Sequence, residues 1–399
     1  ADGGARALLY MAEGEAAGVG ALELCRAAAM NSLSLAMIRF FYATLQAWRA
    51  DGRVGRVVVY AAHSLRYASG GGQGRRRLAF CAGGDLKEFV ATDIPQFTHA
   101  EYRLDLLLAR YPKPLLSLVD GVVMGGGAGV GLLAAQRVLT RRSFFAMPEA
   151  RIGWVTDCGG SWLLAAPRVE RQGAAGLGAF LGMTGARCGP ADLALAGIGE
   201  WYCADDGRTE ALLRALLFDA ERPPEAALAR LAEPLPAARE SQYWPHRAAI
   251  ARCFTAPTAA AVLARLDAAA AAGDEWAGGT AATLRAQCPT SAAVVHELLR
   301  RAAGQDIATC LSLEYRAAVR LAPREDLQEG VAAVLVRKDG RPRFRPASLA
   351  DVPDVRAWFA PMQQAELLWS PVPGVDAKAA EASDAGASQA AGRRHAARL

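Results

Sequence analysis

This 399-residue chain has no closely spaced cysteine pair. Its eight cysteines (Cys25, Cys81, Cys158, Cys188, Cys203, Cys253, Cys288 and Cys310) form no Cys-x-x-Cys, and its five histidines are scattered. A bound metal is therefore not expected, and free buried thiols in a reducing compartment are. No Gly-x-Ser-x-Gly elbow occurs and no histidine has an evident catalytic context, which disfavours a serine–histidine–aspartate hydrolase. The opening stretch ADGGARALLYMAEG has no initiator Met, no apolar leader and no Arg-rich amphipathic segment. Both a mature end left by removal of a transit peptide and a trimmed chain fit that pattern. Charged residues make up only 21% against 52% hydrophobic, enough apolar matter for a sizeable core. The net charge of +5 suits an anionic ligand, a nucleic-acid neighbour or the mitochondrial matrix, without choosing among them.

The longest apolar run, residues 115–135, is not expected to span a membrane. Asp120 interrupts it, Pro112-Lys113-Pro114 abuts it, and its glycines would weaken a single helix despite the Gly121/Gly125/Gly129 spacing. A buried strand, a glycine turn and a helix start fit better. Residues 19–24 and 56–62 read as strands, short apolar runs rich in β-formers. Between them Leu35, Ile38, Leu45 and Trp48 fall near helical spacing, with Gly52 as a stop. A glycine-rich basic loop follows at 64–77, ending in Arg75, Arg76 and Arg77. Strand, glycine turn and helix recur at LAFCAGGDLKEF, and the pattern continues through 115–135 and FFAMPEARIG, so the core is predicted to be α/β. We expect an α/β core over 1–210, a mainly helical region over 211–362 and a low-complexity tail over 363–399 that carries Arg393, Arg394 and Arg398.

Two glycine turns, AGGD (82–85) and MGGGAG (124–129), each lie between an apolar strand and a helix. Bare backbone N–H groups at such turns, brought together, could hold one carbonyl oxygen and stabilise the oxyanion formed on attack. Nearby stand two acids, Glu149 and Asp157, in a segment otherwise apolar, aromatic and glycine-rich. Surrounded by Phe144, Phe145, Met147 and Trp154, a carboxylate would be poorly solvated and its pKa raised, which suits acid–base or nucleophilic work. Taken singly, Glu149 could instead cap a helix or pair with Arg151, and Asp157 could be a turn or N-cap residue.

Taken together, AGGD, MGGGAG, MPE and DCGG, in this order and spacing, resemble the enoyl-CoA hydratase/isomerase (crotonase) superfamily. CPTS, CLSLEYR and EGVAAVLVRKDGRP narrow the resemblance to the 3-hydroxyisobutyryl-CoA hydrolase family, over roughly residues 19–362. The resemblance implies a crotonase-like ββα spiral core with a helical C-terminal region. It implies a CoA thioester whose carbonyl oxygen rests on the amides of Gly84 and Gly126. Glu149 would attack the thioester or activate water, Asp157 would assist proton handling, and Glu101 would meet the acyl or hydroxyl end of the substrate. Hydratases carry a glutamate after the second glycine turn; here that position is Gly129, so addition of water to a double bond is not implied. No separate cofactor is implied, since CoA is part of the substrate. The chain departs from the family at Thr156, where proline is usual, at Glu200 and Trp201, where a Thr-His pair is usual, and at Arg151. Some relatives of this family belong to the mitochondrial small ribosomal subunit. Contact with ribosomal RNA or proteins through Arg75–Arg77 and the tail arginines is the alternative expectation.

Overall fold

The structure, a computed structural model, describes residues 4–11, 17–65, 78–166 and 174–362. Arg75, Arg76, Arg77 and the tail arginines Arg393, Arg394 and Arg398 lie outside the described residues.

Among the described residues nine strands form two sheets. The first takes β1 (Ala5–Tyr10), β2 (Gly18–Leu24), β3 (Val54–Ala61), β5 (Leu115–Val119), β7 (Gln136–Thr140) and β9 (Trp201–Cys203), side by side in that order. Only the β1–β2 pairing is antiparallel. The second takes β4 (Ala79–Cys81), β6 (Val122–Met124) and β8 (Phe144–Ala146), all parallel. The chain alternates between the sheets from β3 to β9, which winds it into the expected spiral. The apolar run at 115–135 is accordingly two strands on different sheets, where the sequence suggested one. Asp120 and Gly121 make the break, Gly121 at φ +95°, a conformation that L side chains rarely adopt. Asp120 is fully buried there, yet accepts hydrogen bonds from Thr140 Oγ1 (2.8 Å), Ser64 Oγ (3.0 Å) and the Arg142 guanidinium. Burial alone would raise its pKa, but hydrogen bonds from His63 and Arg142 hold the carboxyl below the usual range.

The large sheet reads as near-continuous apolar runs because both its faces are covered. On one face Val58, Tyr60, Leu116 and Leu118 pack with Leu212, Leu213, Leu216 and Leu217 of the helix Asp206–Phe218. On the other, Val57, Val59, Leu115 and Val119 join the main core with α1 (Leu35–Ala50). Helix α1 begins where Ser34 accepts a hydrogen bond from the Met37 amide (3.1 Å), and it ends just before Gly52. Its buried face includes all four residues picked from spacing, Leu35, Ile38, Leu45 and Trp48.

Three further helices of the spiral bear on the site: α2 (Leu86–Ala91), α3 (Ile94–Ala109) and α4 (Gly126–Leu132). Beyond the spiral, successive helices include Pro289–Ala302, Ile307–Leu321 and Glu325–Val331, the first two on segments predicted to be helical. Among the described residues no helix is long and apolar enough to cross a membrane. All eight cysteines are free thiols, and seven of them are buried.

Candidate active site

The spiral brings the two glycine turns against each other. Leu33 bridges to Gly84: its amide donates to Gly83 O (2.8 Å) and its carbonyl accepts from the Asp85 amide (2.8 Å). This pairing uses the two peptide groups that flank the Gly84 Cα, and because Gly83 O points at Leu33, the Gly84 N–H across the same trans peptide is aimed away from it. The Gly126 amide opens α4, where a helix has no internal acceptor for it. A Cβ on Gly126 would lie only 3.5 Å from the Gly84 nitrogen, so the two amide-bearing turns lie against each other. Gly125, between β6 and α4, sits at φ +49° and lets the backbone turn sharply there.

Beside this pair opens a pocket of about 290 Å³. It is lined by Gly83, Gly84, Gly125 and Gly126, by the apolar Leu86, Phe89, Phe97, Trp154 and Ile152, and by Glu101, Glu149 and Asp157. Every residue proposed from the sequence as a site residue therefore reaches one cavity. The expected surroundings need a correction. Phe89, Phe97 and Trp154 supply the aromatic wall, with Phe89 edge-on to both of the others (5.3 and 5.0 Å between ring centres). Phe144, Phe145 and Met147 do not line the pocket. They lie on β8 and just after it, and Phe145 and Met147 face the main core.

Glu149 follows β8 and Pro148 on a short 3-10 turn, Glu149–Ile152. The alternatives of a helix cap or a surface pair with Arg151 do not hold. Glu149 is buried, whereas Arg151 is exposed and donates to Gly340 O (3.2 Å). A Cβ on Gly125 would meet Glu149 Oε1 at 2.8 Å, which places this carboxyl against the second glycine turn. Among the described residues its other oxygen has no hydrogen-bond partner. Burial, then the charge of Asp157, push the Glu149 carboxyl well above its ordinary range. Asp157 is held by two side-chain donors, Trp154 Nε1–H (2.8 Å) and Tyr102 O–H (2.9 Å), both to Oδ2. Burial raises it to about 6, and those two donors limit the rise. Asp157 is thus the acid of this pocket that ionises most readily. Environments that push neighbouring acids apart in this way are what assigns them different roles.

Three buried groups were not picked out individually from the sequence. Glu314, on the helix Ile307–Leu321, accepts from the Gly159 amide (2.9 Å) and from the Ser161 amide (3.0 Å) and hydroxyl (2.5 Å). It thereby fixes the loop that carries Asp157 onto the start of α5 (Gly160–Leu164). The only sequence signal for it is its place in CLSLEYR. Asp105 lies one helical turn beyond Glu101 on α3, and both face inward. A Cβ on Gly126 would overlap Glu101 Oε1, and one on Gly129 would overlap Asp105 Oδ1. The space above Gly129 is therefore filled by a carboxyl reaching across from α3. Cys158, the third group, adjoins these acids, and burial pushes its thiol well up. Among the described residues the Asp105 oxygens meet no nitrogen or oxygen donor, and the Cys158 thiol is the one group that hydrogen-bonds toward them. Burial, then Glu101, raise the Asp105 carboxyl well above its usual value, and burial with Asp157 raises Glu101 to about 8.

A raised carboxyl pKa in the fold means the native state holds a proton that the unfolded chain gives up. Its favourable contribution is complete below the unfolded value near 4 and is lost as pH climbs toward the folded value. Asp105→Asn keeps the shape and removes the titration. Denaturant unfolding followed upward from about pH 5 is therefore expected to show the variant gaining on the parent by on the order of 1 kcal/mol per pH unit until the folded carboxyl ionises. A difference between the two that does not change with pH would contradict the buried, protonated Asp105.

The other departures from the family pattern stand apart from the pocket. Glu200 pairs with Arg137 of β7, and Thr156 is buried near Gly182 O.

The spiral of alternating strands, with two amide-bearing glycine turns facing a set of buried acids, defines a crotonase-type protein. The chain belongs to the enoyl-CoA hydratase/isomerase family, whose profile matches residues 19–359, and within it to the 3-hydroxyisobutyryl-CoA hydrolase branch. It is 32% identical to the mitochondrial 3-hydroxyisobutyryl-CoA hydrolase of Rattus norvegicus, with 84% of each chain covered. It is 30% identical to that of Homo sapiens, over 84% of this chain and 83% of the human one. Among solved structures it is similar to a carnitinyl-CoA dehydratase from Mycobacterium thermoresistibile, with TM-score 0.77, 34% identity, and 92% and 99% of the two chains covered. It is also similar to an enoyl-CoA hydratase from Rhodobacter sphaeroides 2.4.1, with TM-score 0.74, 33% identity, and 91% and 99% covered. The names of these relatives divide between hydrolysis of a thioester and the gain or loss of water at a double bond.

Proposed function

We propose that the chain hydrolyses the CoA thioester of a short β-hydroxy acid, 3-hydroxyisobutyryl-CoA foremost. The observation that carries this reading is the pairing of Glu149, buried against the second glycine turn, with an Asp157 held in place by two donors. In this reading the thioester oxygen accepts hydrogen bonds from the Gly84 and Gly126 amides. The charge that develops on it is met by two dipoles already aligned. Glu149 brings about attack at the carbonyl carbon, and Asp157, as carboxylate, takes the proton that the attacking oxygen loses. Water adds, the C–S bond breaks, and CoA leaves as the thiol, carrying a proton. Glu101, neutral below about pH 8, offers the acyl hydroxyl a hydrogen-bonding partner at the inner end. Gly129 argues against hydration of a double bond, because the position after the second glycine turn brings no carboxyl of its own to the pocket. The carboxyl that fills the space above it, Asp105, does not line the cavity.

We place the protein in mitochondria, as the names of its hydrolase relatives suggest, in the matrix. The ribosomal alternative rests on arginines outside the described residues, so the thioester reading is the one the geometry favours.

The test is release of free thiol across a panel of short acyl-CoAs. The β-hydroxyacyl thioester should turn over fastest, and kcat/KM should fall tenfold per unit as pH drops below about 6, where Asp157 takes up a proton. Absence of thiol release from every member of the panel, with the folded protein in excess, would remove the reading.

A further inference from the structure

The pocket's acids and its one lining cation are segregated. Glu101, Glu149 and Asp157 are buried, and all three belong to the inner end. Arg151 is the only cationic side chain among the lining residues, and it is exposed, as is Val334 beside the opening (38%). Arg151 stands two residues beyond Glu149 on the same turn, so its position is tied to that of the buried acid. Among the described residues it forms no ion pair, and its recorded hydrogen bond goes to a neutral acceptor, Gly340 O. The guanidinium therefore stands at the entrance of an acid-lined cavity with no carboxylate partner among the described residues.

This arrangement sorts an acyl-CoA by charge. The uncharged acyl and thioester end can enter among protonated acids. The pyrophosphate and 3′-phosphate of the CoA head cannot follow without repulsion from Asp157, and they must remain where a cation and solvent meet them. We propose that Arg151 is the residue that recognises the phosphates of the CoA head, so that the entrance discriminates for CoA thioesters over uncharged thioesters. The proposal rests on the reading that the pocket takes acyl-CoA, and it does not require that the bound thioester be cleaved. A guanidinium suits the task because it can present two parallel N–H donors to one phosphate.

The test is calorimetric binding of free CoA, which needs no turnover, to the parent chain, Arg151→Gln and Arg151→Lys, each at low and at high salt. Gln keeps an amide donor for Gly340 O, so the variant removes charge while sparing the tether. In low salt Arg151→Gln should bind CoA about tenfold more weakly than the parent, and Arg151→Lys should retain most of the affinity. As salt rises the parent should lose affinity and converge on Arg151→Gln, since screening removes what the substitution removed. Equal CoA affinity in parent and Arg151→Gln overturns the proposal. So does a deficit in Arg151→Gln that persists undiminished at high salt, which would mark a change of shape. Failure of thiol release with this binding pattern intact would strike the hydrolase reading alone.

Discussion

Glu149→Gln is expected to abolish thioester turnover, lowering kcat by about 10³-fold or more while the chain folds and unfolds as before. The substitution preserves the side chain's outline and hydrogen-bonding capacity. The parent group is already held neutral by burial in the resting protein, so replacing a protonated carboxyl with an amide adds no buried charge. What disappears is the ability to become a carboxylate when the thioester is in place. Kinetics and unfolding must be read together. A variant with normal unfolding and no thiol release assigns Glu149 to the chemistry. Normal release by the variant would take Glu149 out of the reaction and, with it, the role given to the turn Glu149–Ile152.

The second large effect is expected at Gly126→Ala. The added methyl would overlap Glu101 Oε1 and lie 3.5 Å from the Gly84 nitrogen. To make room, the Glu101 carboxyl must swing into the pocket it lines, or α3 and α4 must part and the Gly126 amide tilt. The first obstructs the cavity beside the oxyanion site, and the second misaligns one of the two donors meant for the oxyanion. Losing one such donor costs about 10²–10³-fold in kcat, and overpacking adds about 1–3 kcal/mol of destabilisation. Single-turnover kinetics combined with denaturant unfolding separates the two. A variant that is destabilised but turns over at the parent rate would show that the Gly126 amide does not serve the reacting carbonyl.

The sequence made parts of this molecule easy to read and hid others, for physical reasons. Helix α1 was legible because one face of a 3.6-residue period is buried, and Leu35, Ile38, Leu45 and Trp48 trace it. Strands β2 and β3 were legible because sheets covered on both faces leave unbroken apolar runs. The same property hid the division of residues 115–135. A run buried throughout looks alike whether it stays on one sheet or crosses to another, and only the Asp120–Gly121 pair marks the crossing. Of the site, the glycine turns and Glu149 with Asp157 stood out because glycine and carboxylate are conspicuous in apolar surroundings. Glu101 came only from the family resemblance, since an acid on an amphipathic helix looks like a solvated one. Asp105 and Glu314 stayed hidden for the same reason. Their partners are the space over Gly129 and the amides of Gly159 and Ser161, and no local spacing announces either. Phe89 and Phe97 were overlooked in favour of Phe144 and Phe145, which are neighbours of Glu149 in the chain but not in the pocket.

The contact between Glu314 and the Asp157 loop has a bearing on how this architecture could have grown. Two main-chain donors at Gly159 and Ser161 find their acceptor more than 150 residues downstream. Gly153 and Gly330, for their part, let the turn bearing Glu149 and the helix Glu325–Val331 approach backbone to backbone. A chain cut before Ile307 would leave those donors without their acceptor and would take the helix Glu325–Val331 from behind the turn, leaving Pro289–Ala302 as the later helix still packed there. The later helices are thus a supporting wall of the reaction chamber, and an ancestor that lacked them must have braced the same two loops by other means.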